Sequence, residues 1–122
     1  MQGNKGFTLI ELVMIIVILG ILAAVAVPKY YSLVSDANTA AEKGVVGGVR
    51  AGIHTYYAEN KTWPTTLDSA TDGAATESNA FFDTVLAQGG ITADWTKASA
   101  VYTGPASNAY TYDSSDGSFL VE

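Results

Sequence analysis

The sequence predicts an α+β protein: one long N-terminal α-helix, apolar on every side through its first half, packed through its C-terminal half on a small antiparallel β-sheet of about three strands. Three observations predict it. Phe7 to Val27 is a run of 21 residues that carries a single charge, Glu11. Beyond Pro28, apolar residues recur every three or four positions, the spacing of a helix with one buried face. After Trp95 they alternate between turn signals, the spacing of half-buried strands.

The apolar run is long enough to cross a membrane. At ~1.5 Å per residue a helix of this length reaches about 30 Å, the thickness of a bilayer's hydrocarbon core. A carboxylate inside such a span costs on the order of 2.5–3.5 kcal/mol, so Glu11 needs a partner, a function or both. With no such role, it is a carboxylate near the interface that reaches headgroup water. The flanks separate the segment from a secretory signal peptide, whose basic start and shorter apolar core precede a small-residue cleavage site. Here the polar stub Met1-Gln2-Gly3-Asn4-Lys5-Gly6 comes first and no A-x-A-like site follows the run. Any cleavage therefore falls before the helix, and the helix persists.

The stretch Gly6-Phe7-Thr8-Leu9-Ile10-Glu11-Leu12, followed by apolar residues up to Pro28, closely resembles the N-terminal motif of the type IV pilins and the related pseudopilins. Glycine, aromatic, glutamate four residues later and closing proline fall in order, over roughly the first quarter of the chain. The resemblance implies that a prepilin peptidase/methyltransferase cuts after Gly6 and methylates the new terminal amine of Phe7. Together with the patterning described below, it divides the chain into four segments: a prepilin leader over 1–6, a membrane-spanning and filament-core helix over 7–28, the amphipathic half of that helix over 29–60, and a C-terminal αβ loop and antiparallel sheet over 61–122. It also implies that Glu11 pairs with the Phe7 amine of a neighbouring subunit. A buried charge that is costly alone favours the axial register that supplies a counter-charge.

Pro28 removes one helix hydrogen bond, which predicts a bend without a full break. Past it, Val34, Ala37, Ala41, Val45, Val49, Ile53 and Tyr56 or Tyr57 share one face, while Ser35, Asp36, Asn38, Thr39, Glu42, Lys43, Arg50 and Glu59 mostly lie elsewhere on the wheel. Gly44, Gly47, Gly48 and Gly52 each cost ~0.5–1 kcal/mol inside a helix, which points to close approach of another backbone or to a locally soft helix, with packing on the chain's own sheet preferred. Asn60-Lys61-Thr62-Trp63-Pro64 ends the helix near Asn60. Thr65 to Ala75 reads as loop with Leu67 as its anchor. Ser78 to Gly90 reads as a short helix: a polar N-cap candidate, Phe81, Phe82, Val85 and Leu86 at helical spacing, and glycine after the end. Strands follow over 98–103, 109–113 and 117–121, with Asp116-Gly117 as a hairpin signal.

Composition narrows the function. The chain has 122 residues, room for one small domain beside the helix. Its formal charge is −6, and its six basic residues, Lys5, Lys29, Lys43, Arg50, Lys61 and Lys97, are scattered, which disfavours nucleic-acid binding. There is no cysteine, hence no disulfide framework, thiolate metal site or thiol nucleophile. In this the chain departs from the many pilins closed by a C-terminal disulfide. His54, the single histidine, reads as a surface or boundary residue. Asp113-Ser114-Ser115-Asp116-Gly117 could hold calcium, as some pseudopilins do near the C-terminus, but reads first as a turn. Tyr30 and Tyr31 fit a membrane interface beside a snorkelling Lys29 better than an electron path. No nucleophile–base set, phosphate loop or dinucleotide motif is present, so no enzyme, metal or cofactor is expected.

The expected function, carried by the resemblance, is a structural subunit of a helical extracellular filament, the major pilin of a type IV pilus. The subunit is anchored in the inner membrane with its N-terminus cytoplasmic, then handed by an assembly platform and ATPase to a homo-oligomeric fibre. Two alternatives stay open: the major pseudopilin of a type II secretion system, and a membrane-anchored binding domain.

Overall fold

The computed structural model describes residues 6–122. The expected leader over 1–6 therefore lies, but for Gly6, outside the described residues. The chain divides into two compact units, Met1–Asp36 and Ala37–Glu122. One helix, α1 (Leu9–Asn60), contributes to both. Five strands follow: β1 (Gly73–Ala74), β2 (Thr96–Ala98), β3 (Val101–Thr103), β4 (Ala109–Asp113) and β5 (Ser118–Val121). They form one antiparallel sheet in the order β1-β2-β3-β4-β5, each strand beside its neighbour in sequence.

In the first unit α1 continues through Pro28 without a break. Its large apolar side chains all face outward, from 40% exposed at Val13 to 79% at Leu9, and Phe7 just before it is 79% exposed.

In the second unit α1 buries Glu42, Val46, Val49 and Ile53. The buried face thus meets the expected one at Val49 and Ile53 and departs from it toward the N-terminus, where Val34, Ala37 and Ala41 are exposed. The cause is Glu42, expected on the solvent side. It takes the place of an apolar residue because hydrogen-bond donors across the interface satisfy its carboxylate, the condition under which a buried charge is tolerable. The helix ends at Asn60 as expected. Lys61 adopts a left-handed φ of 59°, and its N–H donates to the Tyr57 carbonyl at 2.8 Å, closing the last turn. Trp63 then stacks on Tyr57 with ring centroids 4.2 Å apart.

Of the four helix glycines, Gly52 is where another backbone comes close. A Cβ there would collide with the Val85 carbonyl. Gly48 meets the Leu86 side chain at ordinary contact distance, and nothing lies within 4 Å of a Cβ at Gly44 or Gly47. The partner is thus the segment around Val85 and Leu86 and not the sheet.

That segment is not the short helix the periodicity predicts. Residues 78–90 are turns and isolated bridges. Phe81 exchanges two 2.8 Å backbone bonds with Ile91. Phe82, at φ 63°, turns the chain so that its carbonyl accepts from both Val85 and Leu86. Adjacent Phe81 and Phe82 are each 0% exposed, their rings edge-on at 6.3 Å. An amphipathic helix sets neighbouring residues about 100° apart and would leave one of them nearer the surface. Asn79, expected near the cap, instead ties down the preceding loop: Oδ1 accepts from the Thr71 N–H at 2.8 Å, and Nδ2 donates to the Thr71 and Ala74 carbonyls at 3.1 Å.

The sheet has five strands where about three were expected. β1 emerges from the region read as loop, and the run read as one strand over 98–103 folds back on itself as β2 and β3. Ala98 pairs with Val101, and Ser99 supplies the left-handed φ of 58° that the two-residue connection needs. β4 and β5 form the expected hairpin, with Tyr112 opposite Phe119 and Asp113 opposite Ser118. Gly117 takes φ 72°, and the Trp63 ring occupies the space a side chain there would need. The inward residues Tyr102, Tyr110, Tyr112 and Phe119 join Phe81, Phe82, Leu67 and Trp95 with Val46, Val49 and Ile53 in one core.

Candidate functional site

Of the residues singled out by the sequence, Gly6, Phe7 and Glu11 lie at the start of α1, and Pro28 lies within it. Gly6, Phe7 and Thr8 are non-helical and exposed, so the Gly6–Phe7 peptide stands clear of the helix. Thr8 is the N-cap. Its Oγ1 accepts from the Glu11 N–H at 3.2 Å, while its own N–H donates to Glu11 Oε2 at 3.3 Å. This is a capping box, two helix-end groups satisfied reciprocally. The first intrahelical bond, from Leu12 N–H to the Thr8 carbonyl at 3.2 Å, fixes the same boundary. Glu11 therefore has a partner within its own chain, three residues away. The signal was present as Thr8-x-x-Glu11.

From Leu9 to Pro28, Glu11 is the single charged residue. The most apolar window of α1 has a mean hydropathy of 3.0, and none of it is buried. Shielding one large aliphatic side chain from water is worth roughly 1.5–3 kcal/mol. The exposed run as a whole would cost tens of kcal/mol in water, beyond the ~5–15 kcal/mol that holds a domain folded. This surface therefore requires lipid or other protein around it.

Two buried carboxylates organise the second unit, and sequence reasoning missed both. Glu42, 1% exposed, binds three donors from the β3–β4 connection and β4. Oε1 accepts from Ala106 N–H at 3.1 Å, and Oε2 from Asn108 Nδ2 at 2.7 Å and the Tyr110 hydroxyl at 3.0 Å. Burial, then the bond to Glu42, raises the Tyr110 pKa, so the hydroxyl stays a donor. Asp68, 3% exposed, accepts from Ala70 N–H at 3.2 Å, Phe82 N–H at 3.0 Å and the Tyr102 hydroxyl at 2.9 Å. It also pairs with Lys97 Nζ at 2.5 Å. Burial, reinforced by the Asp68 charge, pushes the Tyr102 pKa well above its usual value. These are framework roles: each carboxylate ties together segments distant in sequence, and its oxygens are consumed by protein donors.

The remaining candidates are placed as follows. Asp113 Oδ1 accepts from Ser115 N–H at 2.8 Å, and Asp116 Oδ1 from Ser118 N–H at 2.9 Å, two turn-closing bonds of the hairpin loop. The Ser115 bonds hold the Asp113 pKa below its ordinary value. Among the described residues no group of three or more His, Asp or Glu side chains is placed to hold a metal ion. His54 is exposed, its ring edge-on to Trp63 at 5.7 Å. Tyr30 and Tyr31 are exposed, with ring centroids 6.2 Å apart.

Comparison with known proteins meets this geometry at the same end of the chain. Residues 1–27 match the family described as the prokaryotic N-terminal methylation motif. The fimbrial protein EcpC of Eikenella corrodens is 38% identical over 86 residues, 70% of this chain and 55% of that protein. The type IV major pilin protein PilE of Neisseria gonorrhoeae is 39% identical over 76 residues, 62% of this chain and 44% of that one. The type IV major alpha-pilin of Moraxella bovis is 38% identical over 71 residues, 58% and 45% of the two chains. The chain thus spans about half the length of the curated relatives it matches. No solved structure matches. The methylation motif lies on the same residues that form the capped start of an exposed apolar helix, and the chain is a homologue of the type IV pilins.

Proposed function

We propose that this protein is the major structural subunit of a type IV pilus. The observation that carries the proposal is the exposed apolar first part of α1, residues 9–28, nearly all of it within the matched motif, with Glu11 as its one charge. The subunit waits in the inner membrane with its N-terminus in the cytoplasm. A prepilin peptidase/methyltransferase removes residues 1–6 after Gly6 and methylates the amine of Phe7. Residues 7–28 then pass from lipid into the dry core of a helical filament, a transfer between two apolar surroundings that changes little exposed apolar area. An assembly platform and its ATPase drive the transfer. Residues 29–60 and 61–122 form the part of the subunit outside the membrane, and Pro28 marks the boundary.

Glu11 selects the register by pairing with the Phe7 amine of an adjacent subunit. The capping box leaves this possible, since a carboxylate has about four acceptor sites and the box uses one of its oxygens. A pilus is favoured over a secretion pseudopilus because the relatives above are named as fimbrial proteins and type IV major pilins. The test is electron microscopy of material sheared from the cell surface, joined to mass spectrometry of its subunit. Fibres built of this chain are expected. A cell envelope in which the protein is abundant and processed while no fibre contains it would overturn the proposal.

A further inference from the structure

Asp68 and Lys97 lie 29 residues apart in sequence and meet inside the unit Ala37–Glu122. Lys97 Nζ is 2.5 Å from Asp68 Oδ1, with 0% of the aspartate side chain and 9% of the lysine side chain exposed. The Nζ also lies 5.4 Å from the centre of the Tyr102 ring, on which buried Phe82 packs at 4.5 Å. The two carboxyl oxygens have different surroundings. Oδ1 faces the lysine and the Ala70 N–H. Oδ2 accepts from Phe82 N–H at 3.0 Å and from the Tyr102 hydroxyl at 2.9 Å, and burial keeps that hydroxyl protonated. Two donors fixed on one carboxyl oxygen are what stabilises an oxyanion when a nucleophile adds to the carbon. The Nζ is in contact with the other oxygen, one C–O bond from that carbon. The Ala70 carbonyl accepts from the same Nζ at 3.0 Å, and an amide N–H formed there keeps this acceptor.

We infer that Asp68 and Lys97 are a self-modification site, condensing after folding to an isopeptide bond between Nζ and Cγ. One proton passes from the ammonium to Oδ1, leaving a neutral amine beside a neutral acid. The amine lone pair then forms the N–Cγ bond, and the Cγ–Oδ2 π pair moves to Oδ2, where Phe82 N–H and the Tyr102 hydroxyl hold the oxyanion. A second proton passes from Nζ to Oδ1, the Cγ–Oδ2 double bond re-forms, and Oδ1 leaves as water. The third proton stays as the amide N–H. Cation and anion vanish together, so the step needs no cofactor and no outside proton. Two effects favour the product. A neutral amide relieves the desolvation of two buried charges. Groups held in place by a fold also reach effective molarities on the order of 10⁵–10⁸ M, which favours a condensation that free partners in water resist. The bond ties the loop before β1 to β2 in a chain that has no cysteine for a disulfide. The inference does not depend on the filament reading, since it rests on a different part of the molecule.

The test is mass spectrometry of the full chain after denaturation, which dissolves an ion pair and leaves an amide. The chain is expected to be lighter than its sequence by one water, and a digest is expected to hold a branched peptide that joins Asp68 to Lys97. Lys97→Arg keeps a cation for Asp68, but its guanidinium does not attack a carboxyl carbon. That variant is expected at full mass with no branched peptide. Tyr102→Phe removes one of the two donors on Oδ2 and is expected to slow linkage about a hundredfold, read as unlinked chain in samples taken soon after synthesis. Linkage at the wild-type rate in Tyr102→Phe would overturn the oxyanion step. A folded wild-type chain at full mass would overturn the inference outright. So would a lost water that persists in Lys97→Arg, as a succinimide at Asp116-Gly117 would give.

Discussion

Thr8 and Glu11 hold each other across the first turn of α1, each side chain accepting the other residue's backbone N–H, at 3.2 and 3.3 Å. Two roles thus meet in one carboxylate. Glu11 closes the helix start of its own chain, and in the proposed filament it neutralises the amine of another. The two separate chemically. A capping box accepts glutamine in place of glutamate, because the carbonyl oxygen suffices to receive the Thr8 N–H. A glutamine carries no charge for an amine. Glu11→Gln therefore isolates the pairing role from the capping role, whereas Glu11→Ala removes both.

Glu42 predicts a large effect from a residue on the helix. Glu42→Ala leaves the Ala106 N–H, the Asn108 amide and the Tyr110 hydroxyl without their acceptor, and each orphaned buried donor costs about 1–3 kcal/mol when water cannot reach it. A loss on the order of 3 kcal/mol is expected, read as a lower urea midpoint by Trp63 and Trp95 fluorescence. Glu42→Gln is expected to fall between, because its NH₂ must face a donor at one of the two oxygen positions.

The ion pair of Asp68 and Lys97 is expected to respond unequally to loss of its two members. Lys97→Met keeps most of the stem and leaves Asp68 three donors, from Ala70, Phe82 and Tyr102. Asp68→Ala removes the acceptor shared by all four and strands a largely buried ammonium, which costs on the order of 3–5 kcal/mol. Chemical unfolding of the two variants is expected to rank Asp68→Ala as the more destabilised. Equal losses would mean that the pair acts as an isolated contact and not as a hub.

Alkali is expected to loosen the second unit before it affects the apolar helix. Burial pushes the Tyr112 hydroxyl up to about 12, while in an unfolded chain a tyrosine titrates near 10. The folded state holds this proton more tightly, so the stabilisation is fully present below about pH 10 and is lost as pH rises toward 12. Unfolding followed between those values is expected to show stability falling with pH. In Tyr112→Phe, which lacks the bond to the Pro64 carbonyl, the fall is expected to be shallower from a lower starting point.

The sequence carried the long helix, its end at Asn60 and the β4–β5 hairpin, because each is written locally: apolar periodicity, a Trp-Pro stop, an Asp-Gly turn. Glu42 was not legible, since its partners lie 64, 66 and 68 residues away and its neighbours mark it as solvent-facing. Asp68 was hidden in a polar stretch for the same reason, its donors at Phe82, Lys97 and Tyr102 being 14, 29 and 34 residues on. Phe81 and Phe82 misled because paired aromatics followed four residues later by Val85 and Leu86 fit a helix as well as a turn; what decides is the bridge to Ile91, a contact no periodicity encodes. The division of residues 96–103 into β2 and β3 rests on a left-handed Ser99, a conformation that serine does not announce. At the candidate site the glycine, aromatic and glutamate were legible as a pattern, and Thr8 was the overlooked member.

Fibre assembly by Glu11→Gln subunits tests the central claim most directly. The variant keeps the capping box and relieves the apolar run of its one charge, so membrane insertion, processing after Gly6 and subunit abundance are expected to match the wild type. The Phe7 amine of each neighbour is left without a counter-charge in a dry core, a loss on the order of 3–5 kcal/mol for a broken buried pair. Electron microscopy of sheared surface material is therefore expected to show few or no fibres, as for Glu11→Ala. Wild-type numbers of Glu11→Gln fibres with wild-type subunit spacing would contradict the account and reduce Glu11 to the cap of its own helix.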